Sequence, residues 1–180
     1  MGRRNTGKTA ARTALAGMLA ALSTVVLFLG YATGVFDLCA LAVTSMLVVI
    51  AMIELGGAYP YLVWAVTSVI SLVILPEKLI ALEYILFGGI YPILKLYFER
   101  LRPRWLEWAV KLSYAAAVLA VLYALSRFVL GLPMESGALA WALLAAYIVF
   151  FAALDRALTV SLTLYIVKVR PKLPFLKKLR

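Results

Sequence analysis

The stretch RTALAGMLAALSTVVLFLGY, residues 12–31, decides the fold, because it contains no charged side chain after its first residue. A helix rises about 1.5 Å per residue, so about 20 residues cross the hydrocarbon core of a bilayer, which is roughly 30 Å thick. We therefore predict a transmembrane helix here. Five further apolar runs follow, each separated from the one before by a turn that contains Gly or Pro. They cover residues 37–55, 58–75, 78–99, 105–130 and 137–167.

The composition of the whole chain supports the same conclusion. Of its 180 residues, 66% are hydrophobic and 14% are charged, and the mean hydropathy is +1.02. Soluble domains are only roughly 45–50% apolar. We predict one all-α domain over residues 1–180, an integral membrane bundle of six transmembrane helices with basic tails at 1–11 and 168–180. The connections are too short to hold a soluble catalytic domain.

Lys and Arg residues are concentrated in three segments outside the apolar runs. Cytoplasmic loops are enriched in these residues, and six crossings place all three segments on one side. We predict a multi-pass protein of the cell membrane with both termini in the cytoplasm. Because the net charge of +10 lies at the ends of apolar runs, it indicates contact with membrane lipids and no nucleic acid partner. The residues are Arg3, Arg4, Lys8 and Arg12; Arg100, Arg102 and Arg104; and Lys168, Arg170, Lys172, Lys177, Lys178 and Arg180.

The first nine residues, MGRRNTGKT, match the phosphate-binding pattern GxxxxGK[ST]. That loop works between a strand and the N-terminus of a helix, whose backbone N–H groups surround the phosphates. Only Met1 precedes Gly2, so we predict a solvated basic segment and no ATPase. The chain has no histidine, one cysteine and no recognisable serine, zinc or acidic catalytic motif. We expect a protein that is not an enzyme and that holds no metal and no cofactor.

The first helix carries a stripe of small side chains whose 4-3-4 spacing places them on one face. The stripe consists of Ala10, Ala14, Gly17 and Ala21, with Ala16, Ala20 and Ser23 beside it. Small side chains let a second helix approach closely in lipid, where association depends on packing. That helix belongs either to this chain or to a partner protein, and the spacing does not decide between the two.

Asp155 and Arg156 are the most deeply placed charges in the chain. Counted back from Lys168, they lie about 18 Å inside the sixth segment, near the middle of the membrane. Ionisable groups at this depth mark either a buried ion pair or a functional group. Neighbouring residues on a helix point in different directions, so we expect Asp155 to face Lys95 or Lys111. The favoured interpretation is a structural ion pair, and the alternative is a transport group.

A mixed group of charged and aromatic residues gathers near the predicted outer surface. It consists of Asp37, Glu83, Tyr84, Arg127 and Trp141. This mixture suits a pocket for a small polar or heteroaromatic ligand. The alternative is an interfacial aromatic belt with charged residues at the helix ends.

The sequence GGIYP, residues 88–92, interrupts the fourth segment. Pro92 lacks a backbone N–H and the two glycines permit close approach, so we predict a kink or hinge. Near the cytoplasmic end of the same segment, Lys95 and Glu99 are four residues apart, and we expect them to form a surface ion pair.

The six-span layout and the first-helix motif resemble the substrate-binding S components of energy-coupling factor transporters. In that family an Ala-x-x-x-Ala pattern docks on the transmembrane coupling subunit, and Ala10-x-x-x-Ala14 and Ala16-x-x-x-Ala20 match it here. By the same resemblance, GYATGVFDL, residues 30–38, would correspond to the first outer loop, which in that family covers the bound micronutrient. The resemblance implies a capture subunit for a vitamin-like small-molecule substrate, energised by the coupling subunit and by separate ATP-binding subunits.

A second class of function also fits this layout. A small membrane scaffold, such as a subunit of a rod-shape or cell-wall complex, would recruit partners through its basic cytoplasmic face and its first helix. It would bind no ligand. For the transporter, the absence of histidine argues against a metal ion as substrate.

Overall fold

A computed structural model of the chain describes residues 3–99, 103–129, 131 and 138–172. Over these residues the chain forms helices and no strand, which confirms the all-α class. The α-helices are α1 Arg3–Thr33, α2 Asp37–Glu54, α3 Tyr59–Ile74, α4 Lys78–Glu83, α5 Tyr91–Phe98, α6 Arg104–Ala124 and α7 Ala138–Leu164. Three π-helical turns, Tyr84–Gly88, Leu125–Val129 and Tyr165–Val169, continue α4, α6 and α7, and a 3-10 turn follows at Arg170–Lys172.

Five of the six predicted spans contain helices that are long and apolar enough to cross a membrane. The third is the exception, because α3 has 16 residues and reaches only about 24 Å. Leu75 precedes a proline and is extended, with ψ of 126°, so the helix cannot continue. A helix this short crosses a bilayer only where the bilayer thins, flanking side chains reach the surface or the protein oligomerises.

The basic tails are more helical than predicted. α1 begins at Arg3, so most of the predicted tail 1–11 belongs to the first helix. Arg, Lys and Ala are strong helix formers, and they outweigh the single glycine in this stretch. The predicted tail 168–180 is likewise helical through Lys172. Several basic residues of the charge pattern lie outside the described residues: Arg100, Arg102, Lys177, Lys178 and Arg180.

The described part of the phosphate-loop pattern, residues 3–9, lies in α1. Gly7, Lys8 and Thr9 are all within the helix, whereas a phosphate cradle needs a loop whose N–H groups point at the ligand. In a helix these N–H groups are directed at the preceding turn. The described part of the pattern therefore does not have the geometry of an ATP site.

The regular α-helix of the fourth span is interrupted at GGIYP, and the kink or hinge expected there stays a prediction. A π-helical turn and two further turn residues separate α4 from α5. The glycines permit close packing of neighbouring helices at this point. A Cβ on Gly88 would lie 2.5 Å from Leu41 Cδ1, and a Cβ on Gly89 would collide with the ring of Trp64.

Side chains from three other helices donate hydrogen bonds to carbonyl groups at the break. The pairs are Ser45 Oγ to Gly88 O at 2.7 Å, Trp64 Nε1 to Ile85 O at 3.0 Å, and the Tyr114 hydroxyl to Leu86 O. In a regular helix the Gly88 carbonyl would accept from residue 92, which is proline and has no N–H. A buried carbonyl without a partner costs free energy, so these side chains stabilise the break.

The centre of the bundle is aromatic. Phe87, Tyr91 and Phe151 are fully buried, and their ring centroids are 5.2–5.6 Å apart. Tyr114 and Tyr147 pack at the edge of this cluster. The cluster lies between two features described below, a cavity on one side and a group of buried charges on the other.

Candidate functional site

A cavity of about 360 Å³ lies between α2, α4, α6 and α7, toward the predicted outer end. Small-molecule sites have volumes of roughly 300–1,000 Å³ and mostly apolar walls. The wall residues are Leu38, Leu41, Leu79, Glu83, Phe87, Leu119, Leu122, Tyr123, Ser126, Tyr147 and Phe150. Glu83 is the only charged residue among these walls.

Glu83 is half-buried at the last position of α4, about 8 Å along the helix from Lys78. Its carboxylate makes no hydrogen bond and no ion pair within the described residues. A carboxylate facing an apolar space can accept hydrogen bonds from a ligand or pair with a positive charge. Glu83 is therefore the wall residue best able to fix the orientation of a ligand.

Two polar wall residues were missed by the sequence reasoning, Ser126 and Tyr147. The Tyr147 hydroxyl donates to Ala115 O at 3.2 Å, and Ser126 Oγ donates to Tyr123 O at 2.9 Å. Tyr147 lies one helical turn from buried Phe151, on the same face of α7. The four-residue spacing from Phe151 could have indicated that Tyr147 faces inward. It does not show which helices the Tyr147 side chain would face.

Of the five residues predicted to form a ligand pocket, only Glu83 lines the cavity. Tyr84 is fully buried, with its ring against Gly89. It does not line the cavity with Glu83, because neighbouring residues on a helix point in different directions. The remaining three lie outside the walls: Asp37 is half-buried at the start of α2, and Arg127 and Trp141 are exposed.

A buried charge cluster joins α5, α6 and α7 on the other side of the aromatic core. The carboxylate of Asp155, which is 5% exposed, accepts hydrogen bonds from the Tyr91 hydroxyl at 2.6 Å and from Lys111 Nζ at 3.1 Å. Lys95 Nζ donates to the same carboxylate. The predicted contact of Asp155 with Lys95 or Lys111 is confirmed, and it involves both lysines.

The two lysines also pair with glutamates of their own spans. Lys95 Nζ lies 3.1 Å from Glu99 Oε1, and Lys111 Nζ lies 2.8 Å from Glu107 Oε1. The expected surface location of the Lys95–Glu99 pair is wrong for the lysine, which is 6% exposed because it turns inward to Asp155. Each charge in the cluster has an opposite partner, which offsets the cost of burial. This arrangement favours the structural interpretation.

Arg156 does not belong to the cluster. It is exposed on α7 and forms no ion pair with any residue that the structure describes. It points away from Asp155, as expected for neighbours on a helix. An exposed arginine within a span either extends its head group to the membrane surface or meets a partner.

The small-residue stripe of α1 separates into two surfaces. Ala16, Ala20 and Ser23 are buried, whereas Ala10, Ala14, Gly17 and Ala21 are exposed. The buried residues pack against α2 and α3, and Thr67 Oγ1 of α3 donates to Ala20 O at 3.3 Å. The chain's own helices therefore cover Ala16 and Ala20, which the resemblance assigned to docking on a coupling subunit, and leave Ala10, Ala14, Gly17 and Ala21 exposed.

The chain was compared with models of known protein families, with curated proteins and with solved structures. None of the three comparisons finds a match. Inferences about function therefore depend on the geometry of the chain's own residues.

Proposed function

We propose that this protein is the membrane-embedded capture subunit of an uptake transporter and that its substrate binds in the cavity beside Glu83. One observation carries the proposal: a carboxylate without a partner among the described residues faces a cavity of about 360 Å³ inside a membrane bundle. A charged group in this environment is costly unless a ligand or another group compensates it. Such groups within spans mark function by default.

The walls favour a vitamin-like small molecule with an apolar or aromatic body. Phe87, Tyr123 and Tyr147 offer ring surfaces, and the remaining walls are mainly leucine. A hydrogen-bond donor or a positive charge on the ligand would contact Glu83. A transition-metal site needs several ligating side chains, and these walls offer one carboxylate and no cysteine or histidine, so an organic ligand is the proposed class.

Energy would come from other proteins. We propose a transmembrane coupling subunit and separate ATP-binding subunits as partners, because the chain's own phosphate-loop pattern lies in a helix. The exposed stripe of Ala10, Ala14, Gly17 and Ala21 is the proposed docking surface for the coupling subunit. Its small side chains allow close approach of another helix in lipid.

Purification in mild detergent from the native host, followed by mass spectrometry of bound small molecules, tests the capture function. We expect an organic compound with the wild-type protein and its loss from Glu83→Gln, which removes the charge and keeps the shape. Glu107→Gln, whose native carboxylate pairs with Lys111 outside the cavity walls, is the matched control and should retain the compound. Equal amounts of compound in wild type and Glu83→Gln would contradict a role for this site.

A membrane scaffold is the second candidate. The observation that favours it is Arg156, whose charged side chain is exposed on α7 within the predicted sixth span. An acidic side chain of a partner protein would offset the free-energy cost of placing this charge in lipid. The same purification distinguishes the candidates by the proteins recovered. ATP-binding subunits support the transporter, whereas cell-wall proteins recovered without any small molecule support the scaffold.

A further inference from the structure

A second cavity, of about 530 Å³, separates α6 from α7. Its walls are apolar except for two tyrosine hydroxyls: Leu112, Ala115, Ala116, Leu119, Ala120, Tyr123, Leu144, Tyr147, Ile148 and Phe151. From Leu112 to Tyr123 the wall of α6 is about 16 Å long. The space is thus a long apolar cleft, which we call the α6–α7 cleft.

The α6–α7 cleft adjoins the cavity that contains Glu83. Leu119, Tyr123 and Tyr147 line both spaces. The two spaces therefore meet at a shared wall, with the carboxylate on one side and the apolar cleft on the other.

The cleft also reaches the outer surface of the bundle. Leu112 is 46% exposed and Ile148 is 48% exposed, and Ala116 and Ala120 of α6 are exposed as well. In a bilayer this surface faces acyl chains. The alanines leave room between the helices that larger side chains would fill.

We propose that the substrate is a cationic amphiphile, which reaches Glu83 sideways from the bilayer through the α6–α7 cleft. Its positive head group pairs with the Glu83 carboxylate, and its apolar chain lies in the cleft. This inference rests on the proposed function, because it names the class of ligand for the same site. Charge complementarity selects this occupant: a neutral lipid chain would fill the cleft but would leave the carboxylate uncompensated.

The test uses proteoliposomes and two photoactivatable probes that share a twelve-carbon chain with a terminal diazirine. One probe ends in an amine and the other in a carboxylate. We expect the amine probe to label residues of the α6–α7 cleft at least about tenfold more than the carboxylate probe, as for a charge-assisted contact. Glu83→Gln should remove this preference.

A pair of tryptophan substitutions tests the sideways route. Ala120→Trp fills the cleft and should abolish labelling by the amine probe. Val121→Trp, at the next position of α6, is exposed but is not a wall residue, and should leave labelling unchanged. Equal labelling by both probes would show a cleft filled by ordinary lipid chains. Labelling that survives Ala120→Trp would show that the probe does not reach its site through the cleft, and either result would overturn the inference.

Benzylamine separates failure of this inference from failure of the proposed function. Its binding is measured by native mass spectrometry of the full chain. Binding that depends on Glu83, together with long-chain labelling that does not, would keep the capture site and overturn the amphiphile. If neither amine depends on Glu83, the cationic ligand is overturned, whereas loss of the native compound from Glu83→Gln would still support the capture site.

Discussion

The hydroxyl of Ser45 lies 2.7 Å from the carbonyl oxygen of Gly88, which Pro92 cannot supply with an N–H. It also lies 2.8 Å from Leu41 O of its own helix, so these two acceptors share its one hydrogen. Ser45 lies on α2, so a side chain of one helix replaces a backbone donor that another helix lacks. The contact is buried, where an unpaired carbonyl is costly. The break in the fourth span therefore depends on its neighbours.

We expect Ser45→Ala to lower the free energy of unfolding by about 1–3 kcal/mol, because it leaves the Gly88 carbonyl without this donor. Ser68→Ala is the matched control. Ser68 Oγ donates to Trp64 O within its own helix, where the backbone already supplies a donor, so its change should stay near 0.5 kcal/mol. Thermal unfolding in detergent measures both, and equal effects would contradict the role of Ser45.

Asp155→Leu should destabilise the protein by about 3–5 kcal/mol, because Lys95 and Lys111 would remain as buried charges without their common partner. Arg156→Leu, one residue away and exposed, should change stability by less than about 0.5 kcal/mol. Unfolding in a detergent titration compares the two. An Asp155→Asn protein of normal stability that has lost uptake would instead support a transport role.

If the proposed coupling subunit docks on the exposed stripe, Gly17→Leu should reduce its co-purification by at least about tenfold, because a large side chain keeps the partner helix at a distance. The stability of the isolated protein should not change, since nothing lies within 4 Å of a Cβ at this position. Ala20→Leu is the internal comparison. It is 2% exposed, so overpacking should destabilise the protein by about 1–3 kcal/mol.

Labelling from outside the cell tests the predicted orientation. In a Cys39→Ser background, Glu77→Cys should react with a membrane-impermeant maleimide and Lys8→Cys should react only after the membrane is opened. Both native side chains are exposed. Reaction of Lys8→Cys in intact cells would contradict cytoplasmic placement of the N-terminus.

The helices could be predicted from the sequence, because an apolar run of about 20 residues in lipid must satisfy its own backbone hydrogen bonds and does so as a helix. The position of the interruption in the fourth span could also be predicted, because the missing N–H of Pro92 is a property of that residue alone. The length of α3 was less predictable. Apolar residues continue to Leu75, but the conformation forced by the following proline ends the helix earlier.

The candidate site was only partly predictable for a different reason. Proximity to the predicted outer surface grouped Glu83 with Tyr84, Arg127 and Trp141, but the walls of a cavity depend on the rotation of each helix. Glu83 and Tyr84 are neighbours in sequence and face different spaces. By contrast, Asp155 and its lysines could be paired in advance, because a buried charge needs an opposite one.

The three side chains that hold the break are synthesised at different times. Ser45 and Trp64 leave the ribosome before the fourth span does, whereas Tyr114 is made afterwards, with α6. Since chains assemble from the N-terminus during synthesis, the Leu86 carbonyl can receive its hydrogen bond only after α6 has entered the membrane. The Tyr114 contact therefore requires α6, whereas the Ser45 and Trp64 contacts require only helices that precede the fourth span in the chain.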